Sequence, residues 1–276
     1  VSVVLATLGE KNIFNIIEIL EKSKIKVEII IIIPKKNYYK IEGIKNKKNI
    51  VIIKTDYFSQ TKQRAEGFKI SKYDLVLQLD TDVIINENFL NEIINFIDSK
   101  DNSSSVSIHP KNITIKNSKM VTYIRLLKNI FLTYFINREK NFKNCDSWFT
   151  NNYFVEINNN VKLLTGACIM HHKKNLIDYD FYRFDKKAYG EDILHSCLLY
   201  KKNIKFYIKN SENISFPLSN DYYFKKLKEL NFFIKRMYLV YYRILKITDG
   251  NIFIFYLWFF LWFLNQYIRF TLNKIL

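Results

Sequence analysis

Tyr73-Asp-Leu-Val-Leu-Gln-Leu-Asp-Thr-Asp-Val-Ile-Ile-Asn86 decides how the rest of the chain is read. Its apolar run, Leu75 to Leu79, is broken only by Gln78, and two carboxylates, Asp80 and Asp82, follow one residue apart. A short apolar run ended by acids is the pattern of a buried strand leaving a sheet. Open α/β sheets bind ligands at the carboxyl ends of their strands, where these acids would stand. Two hard carboxylate oxygens suit Mg²⁺ or Mn²⁺, and such an ion suits a diphosphate. Asp-Thr-Asp is equally a good turn and cap for the helix expected from about Glu87 to Ile97, so the motif alone leaves both readings open.

The flanks argue for the sheet. Val1 to Ala6 reads as a first strand and Thr7-Leu8-Gly9-Glu10 as a turn, after which Ile13, Ile16, Ile17 and Leu20 recur at helical spacing through Lys22. Val27 to Ile33 is almost wholly β-branched, the mark of a central parallel strand, and Pro34 ends it. Lys35 to Asn49 is a polar connection, Ile50 to Ile53 a short strand, and Ser59 to Ile70 a helix carrying Gln63, Arg64 and Gly67. This alternation predicts a mostly parallel α/β sheet flanked by helices.

Downstream, Val106 to His109 reads as a strand ended by Pro110, and Met120 to Phe135 as a helix. Phe142 to Asn160 is the least regular part and is expected to be a substrate loop. Val161 to Met170 reads as a strand with Gly166 inside it, where another backbone or a ligand would approach closely. Asp192 to Lys201 is a helix and Ile204 to Ile208 a last strand.

Composition sets the bounds. With 276 residues and 49% apolar content, the chain holds enough core for one large domain or two small ones, and general disorder is excluded. Cys145, Cys168 and Cys197 are scattered, which supports neither a disulfide framework nor a zinc site and points to a reducing compartment. The net charge of +17 suits nucleic acid, anionic lipid or a polyanionic substrate. Much of it follows a uniform bias toward Lys, Asn and Ile, and no nucleic-acid-binding motif is present, so nucleic acid is not expected as a partner. The chain opens on Val1 without a methionine, so a few residues are expected before it, and Val3 to Ala6 is too short for a secretory signal.

A third acidic element is Glu191-Asp192, after Ala188-Tyr189-Gly190 at a helix start. The helix dipole there keeps a carboxylate ionised, fit to act as a general base, although ordinary capping explains an acid in a first turn just as well. His195 lies one turn on, on the same helix face, either orienting the base or approaching a diphosphate, or simply a packed or surface histidine. Arg64 is read as either a diphosphate contact or a solvated helix position. His171-His172 is expected at the surface. Together, an ion at Asp82, a base at Asp192 and close approach at Gly166 compose glycosyl transfer by single displacement.

At this point the chain resembles glycosyltransferase family 2, of the GT-A fold, over about residues 1–215. Val1-Ser-Val-Val-Leu-Ala-Thr-Leu-Gly-Glu10 is similar to the opening strand and nucleotide-binding turn, Gln63-Arg64-Ala-Glu-Gly67 to the segment before the metal strand, and Leu79-Asp80-Thr81-Asp82 to the Asp-x-Asp motif. Thr165-Gly166-Ala167-Cys168 is similar to the strand lining the donor–acceptor cleft, and Tyr189-Gly-Glu191-Asp192 to the Glu-Asp pair whose Asp is the usual base. The resemblance implies an inverting, metal-dependent transfer from a nucleoside-diphosphate sugar to a hydroxyl on a glycan or lipid-linked glycan, as in polysaccharide biosynthesis. It places Thr7, Glu10 and Asp80 on the donor, Asp82 with Asp80 on Mn²⁺ or Mg²⁺, and Thr165, Gly166 and Ala167 on the acceptor side; by their own positions Arg64 is grouped with the donor residues and His195 with the acceptor side. The second strand departs from the family in running into Pro34-Lys35-Lys36-Asn37 without acids, so a UDP-sugar is only the commonest expectation.

Residues 216–276 change character. Tyr222 to Lys246 reads as one basic, aromatic amphipathic helix, broken by Thr248-Asp249-Gly250. Ile252 to Leu264 is thirteen apolar residues, continuing less purely to Leu272 through Asn265, Gln266 and Arg269. A hairpin of helices lying on the cytoplasmic membrane face is favoured over a single span of 252–272 and over a soluble cap. Two other classes stay in view: a nucleotidyltransferase, which wants a glycine-rich basic loop where only Gly9 stands, and a non-catalytic basic protein binding membrane or nucleic acid, which leaves the acids unexplained.

Overall fold

The computed structural model describes residues 1–44, 48–111, 160–161, 164, 166–184, 188–216, 224 and 226–275. The expected helix Met120–Phe135, the substrate loop from Phe142 as far as residue 159, Cys145 and Thr165 lie outside the described residues. The chain divides into two compact units, Val1–Lys111 with Glu156–Leu218, and Asn112–Val155 with Ser219–Leu276.

The first unit alternates as its sequence pattern dictates: β1 (Ser2–Ala6), α1 (Ile13–Glu21), β2 (Glu28–Pro34), β3 (Ile50–Thr55), α2 (Gln60–Ile70), β4 (Leu75–Leu79), β5 (Ile84–Ile85), α3 (Phe89–Asp98), β6 (Ser104–Pro110), β7 (Asn160–Val161), β8 (Cys168–His172), α4 (Glu191–Lys201), β9 (Lys205–Ser211) and β10 (Ile214–Ser215). The main sheet runs β3-β2-β1-β4-β8-β6-β9-β7, and β10 pairs with β5 in a second, two-stranded sheet. β3, β2, β1 and β4 are mutually parallel, β8 is antiparallel to both β4 and β6, and β9 is parallel to β6. The fold class is thus the mostly parallel α/β sheet flanked by helices expected from the alternation.

Period-two alternation explains the layering. Val3, Leu5, Ile29, Ile31, Leu77 and Leu79 pack in the layer that holds the apolar faces of α1 and α3, including Ile13, Ile16, Phe89 and Ile93. Val4, Ile30, Ile32 and Val76 pack in another layer with Phe68 of α2. β2 is buried along its whole length, which is why its sequence is a continuous aliphatic run rather than an alternating one. Each fully buried Ile contributes about 1.5–3 kcal/mol. α2 starts at Ser59, whose side chain accepts from the Lys62 amide, and it lies close on the sheet at Gly67. A Cβ at Gly67 would come 2.4 Å from Val4 Cγ1 and 2.8 Å from Ile32 Cδ1.

The same alternation puts Gln78 and Asp80 on the strand face away from Leu77 and Leu79, the face that carries α2. The two-residue strands β5 and β10 were not expected from the sequence, being too short to show a period. Gly166 is not inside a strand, as expected, but in a turn with Ala167 ahead of β8. Of the strand read from Val161 to Met170, Val161 lies in β7 and Cys168 to Met170 in β8.

In the second unit, α5 (Leu227–Ile247) and α6 (Ile252–Ile275) form an antiparallel hairpin. The break falls at Asp249, in the left-handed region at φ 52°. The seam is aromatic: Tyr241 meets Trp258 edge-on at 4.6 Å between centroids, and Phe233 meets Trp262 at 5.7 Å. Among the described residues no helix is long and apolar enough to cross a membrane, so the spanning alternative for 252–272 is not met. Asn265, Gln266 and Arg269 dilute the run before it reaches spanning length.

Candidate active site

The turn after β1 is held from inside. The Thr7 amide donates to the Ile32 carbonyl at 3.0 Å, and the Thr7 hydroxyl donates to Glu10 Oε2 and accepts from the Gly9 amide. Glu10 Oε2 also accepts from the Leu8 amide at 3.1 Å and from the Thr81 hydroxyl at 2.7 Å. These donors hold the Glu10 carboxyl below its usual range despite its burial. Gly9 takes φ 87°, and a Cβ there would meet the Lys40 side chain at 2.7 Å, so only glycine fits. Lys40 and Asn37 both donate to the Leu8 carbonyl.

The Asp-x-Asp turn is stitched to this one. Besides the Thr81–Glu10 bond, Thr81 lies 3.2 Å from Thr7 Oγ1, and Asn12 Nδ2 donates to the carbonyls of Thr81 and Val83 at 3.2 and 2.7 Å. Thr7 and Thr81 are buried while Asp82 is exposed. The middle residue of the motif is therefore the structural one, and the acids on either side are left to meet other groups.

Asp80 meets Arg64. Arg64 Nη2 stands 2.6 Å from Asp80 Oδ1, Gln60 Nε2 donates to the same oxygen at 3.1 Å, and the Asp80 amide donates to the Ala167 carbonyl at 2.8 Å. Arg64 Nη2 also donates to the Gly166 carbonyl at 3.3 Å, which accepts from Gln78 Nε2 as well. Arg64 Nη1 lies 3.8 Å from Glu191 Oε1. A buried guanidinium thus ties together α2, the end of β4, the Gly166 turn and the start of α4. The solvated alternative for Arg64 is wrong: the residue is 5% exposed. Burial pushes Asp80 up to about 6 against the pull of Arg64, with the charges of Asp82 and Glu191 adding to the rise.

Glu191 and Asp192 open α4 directly after Gly190, which turns the chain at φ 69°. Tyr182, fully buried, clamps this entry: its hydroxyl accepts from the Tyr189 amide at 2.7 Å and donates to the Tyr189 carbonyl at 2.8 Å. Burial pushes Asp192 up to about 7, the Glu191 charge adds to it, and the Ile193 amide and Arg64 oppose it. Gly166 is the point on which the groups converge. A Cβ there would stand 3.5 Å from Arg64 Nη1, 3.5 Å from Glu191 Oε1 and 3.6 Å from Asp192 Cβ.

His195 is packed, stacked on Phe181 at 5.1 Å and edge-on to His171 at 5.6 Å, and burial holds it neutral, well below the usual histidine range. His171 is not at the surface as expected. It is fully buried, with Nδ1 2.7 Å from the Ser105 hydroxyl, and burial lowers it to about 3. His172, its neighbour on the other strand face, is half-buried.

Among the described residues no three His, Cys, Asp or Glu side chains form a group that holds a metal. Asp80 Oδ1 is committed to Arg64 and Gln60, which leaves its second oxygen and Asp82. That donor set fits Mg²⁺ or Mn²⁺, which binds one or two carboxylates and completes its shell with substrate phosphates and water rather than with a protein cage.

No protein-family model and no curated protein matches the chain. Solved structures do. Crystal structures of S. aureus TarS 1-349 match at 19% identity with UDP-GlcNAc (TM-score 0.55), 20% without ligand (0.51) and 19% with UDP (0.51), each over 88% of this chain. The chain has the glycosyltransferase fold of TarS. It spans 65–66% of those TarS chains.

Of the residues singled out from the sequence, Thr7 and Glu10 meet at one turn, and Arg64, Asp80, Gly166, Ala167 and Glu191 meet around one guanidinium with Asp192 beside them. His195 instead packs against Phe181 and His171. Asn12, Gln60, Gln78, Thr81 and Tyr182 were missed. Gln78 carried a signal, as the one polar residue in a buried strand.

Proposed function

We propose that the protein transfers a sugar from a nucleoside-diphosphate donor to a hydroxyl acceptor, with inversion at the anomeric carbon, in the manner of glycosyltransferase family 2. The observation that carries this reading is the Arg64 guanidinium, which joins the Asp-x-Asp turn to the Glu-Asp pair across the Gly166 carbonyl. Donor-side and acceptor-side groups are thereby fixed relative to each other, as an in-line displacement requires.

In this reading the paired turns at Thr7–Glu10 and Asp80–Asp82 receive the nucleotide. The TarS structures with UDP and UDP-GlcNAc support a uridine donor, and with it the commonest expectation for the fold. Asp82 and the second oxygen of Asp80 would hold Mn²⁺ or Mg²⁺, which would neutralise the departing diphosphate. The acceptor, a glycan or lipid-linked glycan, enters beside Gly166. Its hydroxyl oxygen bonds to the anomeric carbon, the bond from that carbon to the diphosphate oxygen breaks, and the hydroxyl proton passes to Asp192. A carboxylate pushed up to about 7 is well matched to that proton. Arg64 holds Glu191 and Asp80 in place without touching the reacting atoms.

Proton NMR of the sugar released from UDP-GlcNAc, or from whichever nucleotide sugar is consumed, tests the chemistry. The expected first product has the anomeric configuration opposite to the donor's. Retention of configuration would overturn the single-displacement reading, and no consumption of any nucleotide sugar would overturn transfer itself.

A further inference from the structure

We propose that the outward face of α6 docks in the plane of an anionic lipid surface. The hairpin has two unlike faces. Phe255, Trp258 and Trp262 are buried. Phe253 is 81% exposed, Phe260 55%, and Ile252, Tyr256, Leu264 and Ile268 about half that of Phe253. At about 100° of rotation per residue these six fall within one arc of about 160°, and from Ile252 to Ile268 they run about 24 Å along the helix. Protein surfaces that face water rarely keep so large a continuous apolar patch. The inference is independent of the sugar-transfer reading.

Charge selects the occupant. α6 contains no acidic residue. α5 carries Lys228, Lys235, Arg236, Arg243 and Lys246 against Glu229 alone, and Lys228, Lys235 and Lys246 are exposed. A second copy would bring the same excess of positive charge against it, which disfavours pairing of these faces. An anionic lipid surface answers both properties, taking the aromatic and aliphatic side chains into the interface and the lysines onto the headgroups. Since no described helix is long and apolar enough to cross a membrane, the helix lies along the surface.

The test is sedimentation of the full chain with sucrose-loaded vesicles, of phosphatidylglycerol mixed with phosphatidylcholine or of phosphatidylcholine alone, with light-scattering mass measured in parallel. The expected result is binding to the anionic vesicles, at least tenfold weaker for Phe253→Asp/Phe260→Asp, and weakened again by 0.5 M salt. Lys228→Glu/Lys235→Glu/Lys246→Glu leaves the apolar face intact and should lose the anionic preference, which keeps the test open if the first variant fails to fold. Vesicle binding by folded Phe253→Asp/Phe260→Asp equal to the parent's would overturn the proposal. So would absence of vesicle binding, whether or not a dimer that the same variant dissolves is found.

Discussion

Arg64 and Asp80 form a buried ion pair, 2.6 Å between Nη2 and Oδ1, and the same guanidinium reaches Glu191 Oε1 at 3.8 Å. A cation enclosed by acids from two separate elements makes each depend on the other.

Removing the cation should therefore be costly in two ways. Arg64→Met leaves Asp80 and Glu191 facing each other without compensation, and breaking a buried pair from one side costs about 3–5 kcal/mol. Denaturant unfolding should show that loss, with turnover falling by about a hundredfold or more from misplaced carboxylates. Arg64→Lys keeps the charge but not the fork that bridges Asp80, Glu191 and the Gly166 carbonyl, so it should recover most stability and little turnover.

The acid side of the pH profile should be set by Asp192. Its carboxyl is pushed up to about 7, partly by the charge of Glu191. Turnover is expected to rise with pH through about 7 as Asp192 loses its proton. Glu191→Gln removes the like charge, so the acid limb should move to lower pH. An unmoved limb would count against this coupling.

Stability should run the other way. A carboxyl whose folded pKa lies above its unfolded value favours folding most when protonated, below about 4, and that contribution is lost as pH rises through the folded value. Asp192 shows this direction, through about 7, and Asp80 does so through about 6. Asp192→Asn should thus be inactive yet melt several degrees higher than the parent at pH 8, with the two converging near pH 4.

Two glycines should behave differently. At Gly67 an added Cβ would enter Val4 and Ile32 of the sheet, so Gly67→Ala is expected to cost about 1–3 kcal/mol of stability. At Gly166 the same atom would make ordinary contacts with Arg64, Glu191 and Asp192. Gly166→Ala should fold normally and lose turnover by adding an atom beside Arg64, Glu191 and Asp192, while Gly166→Val should lose more.

The sheet was legible because its strands are buried runs of β-branched residues, and Leu75–Leu79 was read to the residue. The acids were singled out by the order and spacing of the Asp80/Asp82 and Glu191/Asp192 pairs along the chain, since a carboxylate at a strand or helix end is by itself ordinary capping. What was not legible depends on contacts distant in sequence. Thr81 sits between two acids and looked like a spacer, yet it joins the two turns through Glu10, 71 residues away. His171 was expected at the surface because it has no partner at ligand spacing, but pairing of β8 between β4 and β6 buries it. Gly166 was taken into a strand because local pattern cannot separate a glycine bulging from a strand from one turning before it. β5 and β10 are two residues each, below any period.

If Asp82 and Asp192 act on one nucleotide sugar, both should be needed for nucleoside-diphosphate release from a panel of sugar nucleotides, measured with and without Mn²⁺ for the parent, Asp82→Ala and Asp192→Asn. Mn²⁺-dependent release from one donor class, uridine first, is expected, reduced by at least a hundredfold in either variant. Release that both variants retain, or none from any donor under any metal condition, would contradict this reading.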